Sequence, residues 1–432
     1  MKATLSQLFT STLEQLSLDK VMPKRLAANA AVLQFGEERI ELAAFRKIIV
    51  VAIGKAACQM AEQTAEILKP HTVSGMIVTS ALPSGRLTNF MTYEGGHPYP
   101  NEQSVWSADV ARELLSDLKP DYLVIYLLSG GGSAIFEKPI SDGISLDDSR
   151  EFFRLLVTCG ANIVEMNVLR KHFSAVKGGR LAEIAHPAKQ LTLYVSDVPA
   201  DRPSTVASGP TMPDESTVGD CYEIVERLKL KERLPRSLRV MFDEQRIPET
   251  PKPGSEKFTN SSWHCLLGNQ DGLDTLVSAT LLEGWVVDTD LSVDDWPLQK
   301  AVDHLLARLG TLRQENPGKT VAILTGGELS CPVTGDGMGG RNQAFVISCA
   351  KRITGQNIAV VSAGTDGIDG NSPAAGALAD GETIQRARDL GMDAADFQQR
   401  SDSYHFFEKL GDLIMTGPTG NNIRDLRALV AW

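Results

Sequence analysis

The chain has 432 residues, of which 42% are hydrophobic and 22% charged, with a formal net charge of −11. That length exceeds what one ordinary hydrophobic core organises, so two α/β domains are expected. The acidic balance argues against nucleic acid or an anionic membrane surface as the main partner. It still allows a phosphorylated small molecule held in a local cradle.

In chain order, MKATLSQLFTSTLEQLSLDK reads as an amphipathic helix without the uninterrupted apolar core of a signal peptide. KIIVVAIG predicts a strand that ends at Gly54-Lys55, and KAACQMAEQTAEILK predicts the helix after it. SGMIVTSA is a second strand, SVWSADVARELLSDL a helix, and DYLVIYLL a third strand that stops in Ser129-Gly130-Gly131-Gly132-Ser133. DDSREFFRLLVTCG is again helical, and LTLYVSDVPADRP is a strand ending at Ser196-Asp197. Around residue 250 the stretch EQRIPETPKPGSEKFTN is rich in proline and charge with no period, which places a domain boundary there. Strands then recur at WHCLLGNQDG, GWVVDTDL, TVAILTGGELS and NIAVVSAGTDGIDG. Short apolar runs alternating with amphipathic stretches predict parallel sheets with crossover helices. No stretch approaches a membrane span. The six cysteines lack CxxC or metal-finger spacing, which predicts reduced thiols in a cytoplasmic protein.

The special residues cluster at strand ends, where open parallel sheets bind their ligands. Ser129 to Ser133 either wrap backbone N–H groups around phosphate oxygens or form a tight turn, and no GK[ST] closes the loop as in a Walker motif. Lys55, flanked by Gly54 and Ala56-Ala57, is a candidate point charge on phosphoryl oxygens. Gly326-Gly327-Glu328 follows another strand, and Gly339-Gly340 introduces Arg341, whose fork suits phosphate or carboxylate. Asp197, Asp201, Asp366 and Asp369 are candidates for magnesium or for orienting a hydroxyl, with Asx turns as the alternative. Asp197 and Asp366, directly after strands, are the preferred pair. His97 and His172 are read as structural, and the KGGR stretch from Lys177 to Arg180 as either an anion site or surface charge.

The segments LLSGGGSAIFEKP, RKHFSAVKGGRLAE, SDVPADRPSTVASGPTMPDEST, LTGGELSCPVTGDGMGGRNQAF, SAGTDGIDGNSPAAGALADG and TGPTGNNIRDL, in that order, resemble the class II glycerate 2-kinases. The resemblance spans nearly the whole chain. It implies a Rossmann-like α/β/α domain with a mainly parallel sheet over 1–250, and a smaller α/β domain with a mixed sheet, of the MOFRL type, over 251–432. It further implies ATP-dependent, magnesium-assisted phosphorylation of D-glycerate at its 2-hydroxyl in a cleft between the domains, by a protein that could form a homodimer. Lys55 and Arg341 take the places of the family's catalytic lysine and arginine. Ser129, Gly130, Gly131, Gly132 and Ser133 take the place of its phosphate loop. From their own places at strand ends, Asp197, Gly326, Gly327, Glu328 and Asp366 are expected as further nucleotide contacts, with Asp197 and Asp366 as metal ligands. Asn101, Ala344, Pro373 and Ser401 depart from residues common in the family. A nicotinamide-dependent hydroxypyruvate reductase is the competing enzyme, but no strand end carries the GxGxxG turn it needs. A non-catalytic sugar-acid-binding protein would not need Lys55, Arg341 and the strand-end carboxylates together.

Overall fold

The computed structural model describes residues 1–82, 85, 87–199 and 201–432 and divides the chain into two compact units. One is continuous, Val21–Leu266, and the other joins Met1–Lys20 to Leu267–Trp432. The proline-rich stretch near residue 250 lies inside the continuous unit rather than between the two. Asp214 donates its N–H to the Pro251 carbonyl, and Arg180 reaches the carbonyls of Pro248 and Glu249. Hydrogen-bonded in this way, the stretch cannot act as a linker. The first helix, Lys2–Gln15, belongs to the other unit, because Leu5, Leu8 and Phe9 pack with Leu273 and Leu276 in one apolar cluster there.

The continuous unit opens with a small antiparallel sheet of β1 (Leu26–Ala28), β2 (Val32–Phe35) and β3 (Glu38–Glu41). Its strands are too short and too mixed in polarity to stand out in the sequence. The main sheet contains β4 (Lys47–Ile53), β5 (Val73–Thr79), β6 (Phe90–Glu94), β7 (Tyr122–Leu128), β8 (Lys189–Val195) and β9 (Ser261–Leu267), in the order β6-β5-β4-β7-β8-β9. Pairing is parallel from β6 through β8. Strands covered on both faces read as continuous apolar runs. Ile49, Val51, Val124 and Tyr126 pack with Ala108 and Ala111 of the helix Glu102–Leu115, while Val50, Ala52, Ile125 and Leu127 are as deeply buried in between. The edge strand β6 is only partly buried, and its pattern gave no such signal. In register, Ile53 stands opposite both Val78 and Leu128, and Leu128 stands opposite Tyr194. The chain therefore leaves β4, β5, β7 and β8 at one level, along one edge of the sheet.

The second unit is built on β10 (Val286–Thr289), β11 (Val321–Gly326), β12 (Ile358–Gly364), β13 (Gly376–Asp380), β14 (Leu413–Ile414) and β15 (Asp425–Ala431), ordered β10-β11-β15-β12-β13-β14. Only the β10–β11 pair is parallel, so the sheet is mixed as expected. Alternate residues face two cores. Val321, Ile323 and Val360 pack beneath the helices Leu298–Glu315 and Arg341–Ile353, while Ala322, Leu324, Ala359 and Val361 meet the first helix. Gly326 pairs with Leu426 and Gly364 with Asp425, so antiparallel β15 delivers its first residue to the carboxyl ends of β11 and β12.

The Tyr126 hydroxyl, in the middle of β7, is fully buried and has no hydrogen-bond partner among the described residues. A buried hydroxyl left unpaired costs about 1–3 kcal/mol. Tyr126→Phe removes that oxygen and keeps the ring, so we predict a melting temperature equal to or above wild type. A drop of several degrees in a thermal melt would contradict this.

Candidate active site

The level edge of the parallel sheet brings together Lys55 after β4, the glycine loop after β7 and Asp197 after β8. Lys55 donates its backbone N–H to the Gly130 carbonyl at 3.0 Å, and Ala56 donates its own to Ser129 Oγ at 3.0 Å. These bonds zip the two strand ends together. A methyl group on Gly130 would overlap the Asp197 carboxylate. Gly131 has φ +82°, and a Cβ there would lie 3.1 Å from Ile135 Cδ1, 3.2 Å from Lys55 Cγ and 3.3 Å from His97 Cδ2. A Cβ on Gly132 would approach Ala207 Cβ to 2.6 Å. The glycines are thus required by side chains that press on the bare backbone: the Asp197 carboxylate at Gly130, the Ile135 methyl, the Lys55 stem and the His97 ring at Gly131, and the Ala207 methyl at Gly132. Ser133 Oγ donates to Ser208 Oγ at 2.8 Å, since the Ser208 proton is committed to Asn167 Oδ1 at 2.7 Å.

His97, expected to be held by a structural hydrogen bond, makes no ring hydrogen bond among the described residues and stands beside Gly131. His172 is structural: its ring bonds the Val168 carbonyl and Glu249. The KGGR stretch is neither an anion site nor surface charge. Lys177 is fully buried, donates to the Phe136 carbonyl and pairs with Glu137, and Arg180 is buried with its donors on three carbonyls. Of the residues that depart from the family pattern, Asn101 caps the helix Glu102–Leu115 by accepting from the Ser104 N–H, and Ser401 Oγ accepts from the Thr334 N–H.

In the second unit, Arg341 is the first residue of the helix Arg341–Ile353. Its Nε and Nη2 donate to the two oxygens of Asp425 at 2.7 and 3.1 Å, and Nη2 lies 2.8 Å from Glu328 Oε1. Asp425 is 1% exposed and also accepts from Arg427, whose other arm donates to the Gly327 carbonyl. Burial opposes charge on Asp425, but Arg427 and Arg341 outweigh it and hold the carboxyl below its usual pKa. Burial likewise opposes charge on Arg341, and Asp425 together with Glu328 more than offsets it. Nη1 of Arg341 takes no part in these bonds, and the residue borders a cavity of about 750 Å3 with Leu298, Cys331, Asn371 and Ser403 in its wall. Side chains on Gly326 or Gly327 would run into Asn269 and Asp294, so these two glycines serve close packing around the site.

Asp197 and Asp366, the expected metal ligands, lie in different units. Asp366 Oδ1 accepts the Ile368 N–H in an Asx turn beside Gly364. Among the described residues, no group of three or more histidine, cysteine or carboxylate side chains is arranged to hold a metal ion. A single carboxylate on bare backbone nonetheless suits magnesium whose shell is completed by phosphate and water.

Asp369 accepts the Asn342 and Gln343 N–H groups at 3.1 and 2.9 Å and so anchors the first turn that carries Arg341. Burial, reinforced by Asp425, pushes its pKa from the usual 3.8 up to about 7. Between those values the folded protein holds a proton that the unfolded chain has released. The stability contributed by Asp369 is therefore present below pH 3.8 and is lost as pH rises through 7. Relative to wild type, the melting temperature of Asp369→Asn should shift upward between pH 5 and pH 8. A difference that does not vary with pH would contradict the assignment.

A family model described as "Domain of unknown function (DUF4147)" matches residues 4–243, and the MOFRL family model matches residues 321–425. The D-glycerate 2-kinase of Thermotoga maritima is 36% identical over 388 residues, covering 88% of this chain and 89% of that protein. An Agrobacterium vitis protein named after hydroxypyruvate reductase is 36% identical over 400 residues, covering 89% and 87%. The crystal structure of glycerate kinase from Thermotoga maritima matches with a TM-score of 0.85 and 32% identity, over 100% of this chain and 99% of that one. Two family models in sequence order and a relative aligned over most of both chains lead to one conclusion: the chain belongs to the class II glycerate 2-kinase family.

Proposed function

We propose that this protein is a glycerate 2-kinase, transferring the terminal phosphoryl group of ATP to the 2-hydroxyl of D-glycerate to give 2-phosphoglycerate. The observation that carries the reading is the packing of Lys55 and Asp197 against the bare backbone of Gly130 and Gly131 at a sheet's carboxyl edge. A cation, a hard carboxylate and open backbone are what a nucleotide's phosphates require. Phosphoryl transfer asks for little covalent work from the protein, so positioning and charge neutralisation dominate.

Ser129 to Ser133 would hold the nucleotide phosphates, and Lys55 would sit on the transferring oxygens. Asp197 would present the hard oxygen for magnesium, which when bound neutralises phosphate charge. Arg341, braced by Asp425 and Glu328, would offer its remaining donor to the glycerate carboxylate or to phosphate, with Gly326, Gly327 and Asp366 shaping the surround. We read the enzyme as cytoplasmic, acting on small molecules without nucleic acid or membrane partners, and able to pair as a homodimer. No described helix is long and apolar enough to cross a membrane.

The test is an assay of MgATP plus D-glycerate that resolves 2- from 3-phosphoglycerate, run beside NADH with hydroxypyruvate. The expected product is 2-phosphoglycerate, and NADH consumption without it would establish the reductase instead. Lys55 is exposed, so Lys55→Ala should melt like wild type while kcat falls by about 10²-fold or more, the scale for one preorganised electrostatic contact. A folded variant that keeps most of its turnover would return Lys55 to the role of a solvated surface residue.

A further inference from the structure

The kinase reading lacks an acceptor for the proton of the 2-hydroxyl, and the histidines separate into two kinds. The chain has seven. Five have ring nitrogens bonded within the fold: His71 to the Ala30 carbonyl, His172 to Val168 and Glu249, His264 to Glu38, His304 to Asp290 and His405 to Asp402. His186 precedes β8, at the opposite end of the sheet from the glycine loop. His97 makes no ring hydrogen bond among the described residues, and it is the one beside Gly131 and Lys55.

Its placement is enforced. The loop after β6 is tied at its start by the Gly95 N–H on the Thr79 carbonyl at 2.8 Å, and next by the Gly96 N–H on Ser104 Oγ at 2.9 Å. At its end Asn101 caps the following helix. A Cβ on Gly95 would overlap the Ile135 carbonyl oxygen, so the loop from the edge strand is drawn across to the helix that follows the glycine loop. His97 is carried with it to Gly131, where its Cδ2 would lie 3.3 Å from a Cβ.

Resting on the glycerate kinase reading, we propose that His97 is a catalytic residue, the base that accepts the 2-hydroxyl proton. The O–H bond breaks as the new O–P bond forms, and the proton moves to an imidazole nitrogen. The bond from the terminal phosphorus to its bridging oxygen breaks, with its electrons leaving on ADP. The imidazolium then returns its proton to solvent. The neighbours suit this division of labour. Lys55, serving as a cation, has no lone pair to accept a proton. Asp197, given to magnesium, is a poor base.

Lys55 faces His97 from the end of β4, the glycine loop brings no charge of its own, and Asp197 stands behind Gly130 from the end of β8. His97 is exposed, and partial desolvation together with the Lys55 charge holds its imidazole below the usual 6.5, so at neutral pH it is uncharged.

The test is the pH dependence of kcat with saturating MgATP and D-glycerate in wild type and in His97→Gln. Wild type should lose activity as pH falls below about 6.5, as the base becomes protonated. The variant should lose about 10²-fold or more in kcat at pH 7.5, with little change in KM for glycerate, and should lack that acid limb. Turnover within about threefold of wild type overturns the proposal, as does a reduced kcat that keeps the acid limb. If His97→Gln melts early, His97→Ala with added imidazole replaces it. Restored turnover supports the assignment, and no restoration overturns it. Absence of 2-phosphoglycerate from the wild-type reaction would instead reject the kinase reading, so the two failures are distinguishable.

Discussion

The constraint on which the rest depends is the close approach of side chains to backbone at the end of β7. Ile53, Val78, Leu128 and Tyr194 stand level in the parallel sheet, so the residues after them compete for the same small volume. Only glycine lets Asp197 lie on position 130, and Lys55 and His97 converge on position 131. A longer residue at either would push these side chains apart. Three consecutive glycines would be a poor choice for a turn alone, since each loses more conformational entropy on folding than any other residue. They are understandable where backbone must be approached from several sides.

The second unit solves a different problem with a different device. Arg341 is presented as a braced cation rather than a mobile one. Asp425 grips it with both oxygens, Glu328 holds the same arm, and Arg427 from beneath balances Asp425. Buried charges of this kind contribute little net stability, yet removing one partner costs about 3–5 kcal/mol because the other is left uncompensated. The network is better understood as fixing the direction of a guanidinium. Asp369, bonded to the first N–H groups of the same helix, holds the mount on which Arg341 sits.

Much of this was legible in the sequence for a plain reason. Strands buried on both faces leave unbroken apolar runs, so KIIVVAI, YLVIYLL and AILTG announce both themselves and the residues after them. Lys55, Ser129 to Ser133, Asp197, Gly326 to Glu328 and Asp366 were all found as strand ends. What stayed hidden depends on pairing between distant segments. Asp425 partners Arg341 only because β15 runs antiparallel between β11 and β12, which no local pattern reveals. The Lys2–Gln15 helix joins the second unit through contacts with residues far along the chain. Lys177 and Arg180 looked like surface or anion-binding charge because their buried partners, Glu137 and the carbonyls near residue 248, lie dozens of residues away. The position of His97 beside Gly131 was likewise hidden, because its neighbours follow two other strands.

The claim that bears most weight is that the backbone at Gly131 is kept bare for the nucleotide's phosphates. Gly131→Ala adds one methyl group at φ +82°, against Ile135, Lys55 and His97 at 3.1 to 3.3 Å. Steady-state kinetics with ATP and D-glycerate varied separately, beside a melting curve of the same sample, give the direct measurement. The account predicts a folded enzyme whose KM for ATP rises by about tenfold or more, equivalent to roughly 1.4 kcal/mol of lost binding. An unchanged KM for ATP, with only glycerate binding weakened, would contradict it.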